Sequence, residues 1–165
     1  MKRFLFRFCV FFMAGFTFML SPTGTHWIGL LTQGLTRVVA AIIQAAGGHA
    51  TAAGNVLASP GQGFSMQIAN GCDGCNVLLL LWAAMLSWPA GVADRARGLL
   101  IALVVVQVAN MIRLIALFYC GQWNSTWFEW VHLYFAEILI MLLGLVTFGA
   151  WIRQITPTLM PDRAR

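Results

Sequence analysis

The stretch LLIALVVVQVANMIRLIALFY, residues Leu99–Tyr119, decides the fold. A helix needs about twenty mostly apolar residues to cross the ~30 Å hydrocarbon core of a bilayer, and this run supplies them. Only Gln107, Asn110 and Arg113 interrupt it. Working outward, similar apolar runs recur at about 4–20, 76–90 and 129–151. The short charged segment holding Asp94, Arg95 and Arg97 precedes the deciding run as a loop, and the polar and aromatic segment Gly121–Trp127 follows it.

Composition agrees. Of 165 residues, 60% are hydrophobic and 9% charged, against about 25% charged in soluble domains. Too few polar side chains remain to cover a surface in water, so lipid is the solvent. The chain is expected to be an all-α integral membrane protein, a single membrane domain over 1–165 with four transmembrane helices. The formal net charge of +5 sits in short basic clusters beside the apolar runs. That pattern sets membrane orientation, and it excludes nucleic acid as the partner. No small-x-small cleavage pattern follows Leu20, so the first run reads as an anchor and not as a signal peptide.

Two segments are of another kind. Residues 27–46 are helical in pattern but interrupted by Thr32, Gln33, Thr36, Arg37 and Gln44, and stopped by Gly47–Gly48. Residues 49–70 carry turn residues and the alternation Phe64-Ser-Met-Gln-Ile68, which predicts a small β-hairpin. Open sheet edges are not stable facing lipid, so this hairpin belongs outside the bilayer. Basic residues favour the cytoplasm. Lys2, Arg3 and Arg7, then Arg95 and Arg97, then Arg153, Arg163 and Arg165 satisfy that rule together only if an even number of crossings separates them. Residues 27–46 then form an interfacial helix on the outer side, next to the hairpin.

This topology gathers three polar residues from different segments at one level. Cys72 stands at the outer end of the second span. Arg113 lies ~9 Å below the outer end of the third, at 1.5 Å per residue. His132 falls in the first turn of the fourth. A charged residue inside a span costs about 2.5–3.5 kcal/mol on insertion scales and usually faces a cavity or partner. The plainer reading of Arg113 is a structural arginine that snorkels or pairs with Glu137. Asn110, at i−3 on the same helix face, either orients the guanidinium or joins helices. His132 has the proton affinity for acid–base work, though the aromatic belt of Trp127, Phe128, Trp130 and Tyr134 also accommodates an ordinary interfacial histidine. Gly71 and Gly74 flank Cys72, and a helix N-terminus with an arginine nearby favours a thiolate; the alternative is an inert buried thiol. Asp73 reads more simply as a capping residue than as a catalytic one. His26 and His49 read as loop residues, Cys9 as a small hydrophobe. No metal site is expected, since no second Cys/His pair stands near Cys72-x-x-Cys75.

The chain resembles the exosortase/archaeosortase family, most closely the short H-type exosortases. The likeness rests on Gly54-Asn-Val-Leu57, Ser59-Pro-Gly61, Ile68-Ala-Asn70-Gly-Cys72-Asp73-Gly74, Asn110-Met-Ile-Arg113 and His132-Leu-Tyr134, in that order. It implies a membrane-embedded cysteine transpeptidase or protease without a cofactor. The implied substrates are membrane-anchored proteins with a C-terminal tripartite sorting signal, cleaved at the outer membrane face. Cys72 matches the nucleophile, Arg113 the essential arginine and His132 the essential histidine; Asn110, Asn70, Asp73 and Glu137 support them. The expected location is the cell (inner) membrane, multi-pass, with the site facing the periplasm or exterior. Cys75 departs from the family pattern. Two rival readings remain: a four-span thiol–disulfide oxidoreductase using Cys72 and Cys75, which leaves Arg113 and His132 unexplained, and a non-enzymatic membrane scaffold.

Overall fold

The computed structural model describes residues 2–69, 71–132 and 136–159. Helix α1 (Lys2–Leu20) is followed after one residue by α2 (Pro22–Ala45). Ser21 makes that joint: its side chain accepts from the Gly24 N–H at 3.1 Å, and Pro22 opens the new helix. The joint is therefore a single-residue corner, and α2 begins earlier than the 27–46 expected. His26 sits within α2 and not in a loop. Gly24 allows the corner to be tight, because a Cβ there would strike the Phe18 carbonyl.

The hairpin region holds three short strands, β1 (Thr51–Ala53), β2 (Val56–Ser59) and β3 (Phe64–Gln67), in an antiparallel meander of order β1-β2-β3. The extra strand arises because Gly54–Asn55 is itself a turn, with Gly54 at φ +62°. Leu57 and Met66 are buried, and they oppose each other in the β2–β3 register.

Helix α3 (Cys75–Ser87) is only 13 residues long, or ~20 Å at 1.5 Å per residue. Helix α4 (Val92–Trp123) runs for 32 residues and takes Asp94, Arg95 and Arg97 into its first turns. The charged loop expected there is thus helix, since an acidic residue in a first turn suits the helix dipole. Within the last expected span, 129–151, two helices are described. Helix α5 (Ser125–Trp130) ends in a wide π-type turn at Val131–His132, and α6 (Ala136–Leu159) follows. His132, expected in the first turn of the fourth span, lies in that π-type turn.

Four helices are long and apolar enough to cross a membrane: α1, α2, α4 and the Ala136–Thr156 part of α6. The chain is a multi-pass membrane protein. α1 has no buried residue, and rows of outward-facing Leu, Ile, Val and Phe on α1, α4 and α6 suit lipid, not water.

Packing registers the helices. Phe4 meets Trp88 edge-on, and Gly15 lies against Leu79, so α1 and α3 run antiparallel. Trp151 donates to the Asp94 carbonyl at 3.0 Å and seats its indole on Gly98, while Glu137 meets Arg113 at the far end of the same α4–α6 contact. Lys2, Arg3, Arg95, Arg97 and Arg153 therefore share one end of the bundle. Arg113 lies ~28 Å from it, at 1.5 Å per residue from Asp94.

Two cores result. One joins α3, α4 and α6 through Leu81, Met85, Val106, Ile140 and Trp151. The other joins the C-terminal half of α2, the sheet and the end of α4 through Val39, Ile43, Leu57, Ile68, Leu114 and Phe118.

Candidate active site

The junction of these two cores carries the polar residues. Gly71–Gly74 forms the turn into α3, and Gly71 (φ +101°) and Gly74 (φ +81°) hold backbone angles that side-chain-bearing residues rarely adopt. Asp73 is buried; its Oδ1 accepts from the Cys75 N–H at 2.9 Å and so serves a first-turn donor of α3. Gln107 of α4 donates to the Asp73 carbonyl at 3.2 Å. Gly74 packs against Val106 and Asn110. The turn is thus fastened to α4 on one side and capped onto α3 on the other.

That fastening points Cys72 at His132: Sγ and Nε2 are 3.7 Å apart. The two residues are 60 positions apart in sequence, so this contact is tertiary. Phe128, one helical turn before His132, stacks on the imidazole with centroids 5.6 Å apart and planes 5° from parallel. His132 Nδ1 is buried and has no hydrogen-bond partner among the described residues. The ring is therefore oriented by an aromatic face and not by a carboxylate.

Arg113 is buried in α4, and its guanidinium meets Glu137 at 3.3 Å. Its field reaches both partners of the pair, lowering the proton affinity of Cys72 and of His132. Burial is the larger influence on each. It pushes the Cys72 thiol above its ordinary 9.0, with Arg113 opposing and Glu137 and Asp73 assisting. It pulls His132 below 6.5, with Arg113 adding to the effect and Glu137 opposing. The arginine acts in the expected direction on the thiol, but burial is the larger influence. Both shifts favour a neutral thiol beside a neutral imidazole at neutral pH.

A cavity of about 250 Å³ opens onto the pair, lined by Ser65, Met66, Gln67 and Ile68 of the β3 segment, by Leu114 and Leu117 of α4, and by Phe128. Cys72 and His132 are thus brought into contact, and Arg113 acts on both through its charge without lining this cavity. Asn110 is wholly buried against the turn, with neither side-chain atom hydrogen-bonded among the described residues. Glu137 contacts Arg113, while Asp73 supports the turn. Asn70, expected as a supporting residue, lies outside the described residues, as does Tyr134. His49 is exposed ahead of β1. No three of His, Cys, Asp and Glu among the described residues gather as a metal site.

Sequence reasoning missed Phe128 and Gln107. The i,i+4 spacing of Phe128 and His132 was a usable signal. So was the amide of Gln107 in an otherwise apolar run, since polar groups inside spans need partners.

A family model described as transmembrane exosortase matches residues 1–150. No curated protein and no solved structure matches the chain.

Proposed function

This chain belongs to the transmembrane exosortase family, and on that premise we propose that it is a membrane-embedded cysteine transpeptidase or protease. It cleaves C-terminal sorting signals of exported, membrane-anchored proteins at the outer face of the cell membrane. A general role in membrane transpeptidation and sorting follows from the family; the cleaved signal, the catalytic residues and the orientation are our reading.

The observation that carries it is the 3.7 Å approach of Cys72 Sγ to His132 Nε2 within the electrostatic reach of Arg113. With Nε2 free to accept, His132 takes the thiol proton as Sγ attacks a substrate amide carbonyl. The negative charge that forms on the carbonyl oxygen is stabilised by the electrostatic field of Arg113. The imidazolium then gives its proton to the departing amine, leaving a thioester on Cys72. A second nucleophile, water or an acceptor amine, loses its proton to His132 and attacks that thioester. The acyl group leaves and the Cys72 thiol is restored.

The bundle geometry supports an outer site. The basic residues share the end opposite Arg113, and the positive-inside rule makes that end cytoplasmic. Helix α2 follows α1 at the far end and packs its C-terminal half beside Leu114 and Phe118. Both of its ends therefore sit at the level of the site, which favours a helix lying along the outer interface despite its apolar length.

The test is processing of a tagged exported reporter bearing a tripartite tail, in cells expressing the protein. Cys72→Ala, His132→Ala and Arg113→Ala should each leave it uncleaved. Cleavage persisting in the Cys72→Ala strain would end this reading. An equal loss on Cys75→Ser would favour a dithiol oxidoreductase instead.

A further inference from the structure

Among the described residues strand β3 is an edge strand, and residues 65–68 line the cavity that holds Cys72 and His132. The backbone pattern shows which groups face that edge. The Ile68 N–H bonds the Asn55 carbonyl at 2.8 Å, so this opposed pair is a hydrogen-bonded one. Antiparallel pairs alternate between bonded and non-bonded. In the register Val56↔Gln67, Leu57↔Met66, Ala58↔Ser65, Leu57 and Met66 then exchange bonds across β2–β3. Ser65 and Gln67 do not. The other side of β2 agrees: the Ala58 carbonyl faces β1, where Thr51 Oγ1 donates to it at 3.4 Å. The N–H and C=O of Ser65 and of Gln67 therefore point away from β2, along the open edge. Both residues are exposed, and both line the cavity with Cys72 and His132.

We propose that this edge binds the substrate as an added strand: an extended peptide pairs its backbone with Ser65 and Gln67 and so presents one carbonyl to Cys72. The occupant is an extended polypeptide for a chemical reason. Backbone N–H and C=O groups spaced two residues apart match another strand. A thiol attacking an amide also needs its substrate held in an open, extended form. Phe128 and His132 also line the cavity. This inference rests on the proposed acyl transfer at Cys72, but it makes a separate prediction about binding.

The experiment uses the full chain in lipid nanodiscs with Cys9, Cys75 and Cys120 changed to Ser, so that Cys72 is the sole thiol. The probe is acetyl-tetra-alanine chloromethyl ketone: the Cys72 sulfur bonds to the methylene carbon, chloride leaves, and the thiol proton passes to His132. Its rate is compared with that of chloroacetone, which has the same reactive group and no peptide. The peptide reagent should react at least ~10-fold faster. Proline is tolerated on an edge strand where the N–H faces outward, so Gln67→Pro should keep the β2–β3 ladder and abolish the advantage. Ser65→Pro is the second variant should Gln67→Pro fail to insert. Methylating the reagent's alternate backbone nitrogens should weaken it with a period of two in the unsubstituted strand. A peptide reagent no faster than chloroacetone, or an advantage that survives both prolines, overturns the edge-pairing proposal. Reporter cleavage in the Cys72→Ala strain overturns the proposed reaction instead and leaves the edge measurement readable.

Discussion

At the scale of single residues, the proposed site pairs a thiol with an imidazole within the field of Arg113. Replacing the nucleophile removes the covalent route, so Cys72→Ala should lower reporter processing by at least ~10³-fold. Loss of the acid–base group in His132→Ala should cost ~10²–10⁴-fold. Arg113→Lys keeps a charge but loses the planar fork that reaches Glu137, and a fall of ~10²-fold is expected. Cys75→Ser should process nearly normally. The pH profile follows from the shifts. His132 must be neutral to accept the thiol proton, and burial together with Arg113 lowers its proton affinity. The acid limb of kcat/KM should therefore fall below pH 6.5. Glu137 raises the proton affinity of His132, so Glu137→Gln should move that limb lower still. An acid limb at or above 6.5, or one moved upward by Glu137→Gln, would contradict the assignment of His132 as the proton acceptor.

The elements matter through how closely they approach. Gly74 stands where α3 begins, at φ +81°, with Val106 3.4 Å from the place a Cβ would occupy. Gly74→Ala should cost about 1–2 kcal/mol for the left-handed backbone alone and should also shift the Cys72 turn. Both losses are measurable, as a lower Tm in detergent and a reduced kcat. Gly98 is a second close approach, because a Cβ there would strike the Trp151 indole. Gly98→Ala should destabilise the α4–α6 contact by about 1–3 kcal/mol through overpacking, with Cys72 alkylation unaffected because the site lies at the other end of α4. Gly34, in α2, has open space around it. Gly34→Ala is expected to gain a few tenths to 1 kcal/mol in helix propensity, and a loss as large as that at Gly98 would mean the packing of α2 is wrongly described.

For the molecule as a whole, the central prediction is its orientation. Reporter fusions at the N-terminus and at Arg97 should report the cytoplasm, and a tag inserted at Gly61 the exterior. A cytoplasmic Gly61 would mean that α2 crosses the bilayer and that the Cys72 cavity opens inward, away from exported substrates. The two-core arrangement gives this orientation a physical sense. The bundle of α3, α4 and α6 is built for lipid, whereas a three-stranded sheet with an open edge can exist only where water or a partner strand satisfies its backbone.

The hydropathy of Leu99–Tyr119 and its neighbours determined by itself that this is a helical membrane protein. Burial in lipid depends on the summed polarity of a segment, which is written locally. The alternation at Phe64–Ile68 likewise announced strands, and the residues Cys72, Arg113 and His132 were legible because polar groups are conspicuous in apolar surroundings. Helix ends were less legible: α4 absorbed the charged segment at Arg95, because caps and packing decide where a helix starts and stops. Only the tertiary structure decided that Sγ meets Nε2, that Phe128 and not a carboxylate orients the imidazole, and that Gln107 holds the turn. It also set burial against the arginine at the thiol, with burial the larger influence. Each of these depends on which distant atoms become neighbours and how much water they exclude. Such three-dimensional sums cannot be read along one strand of letters.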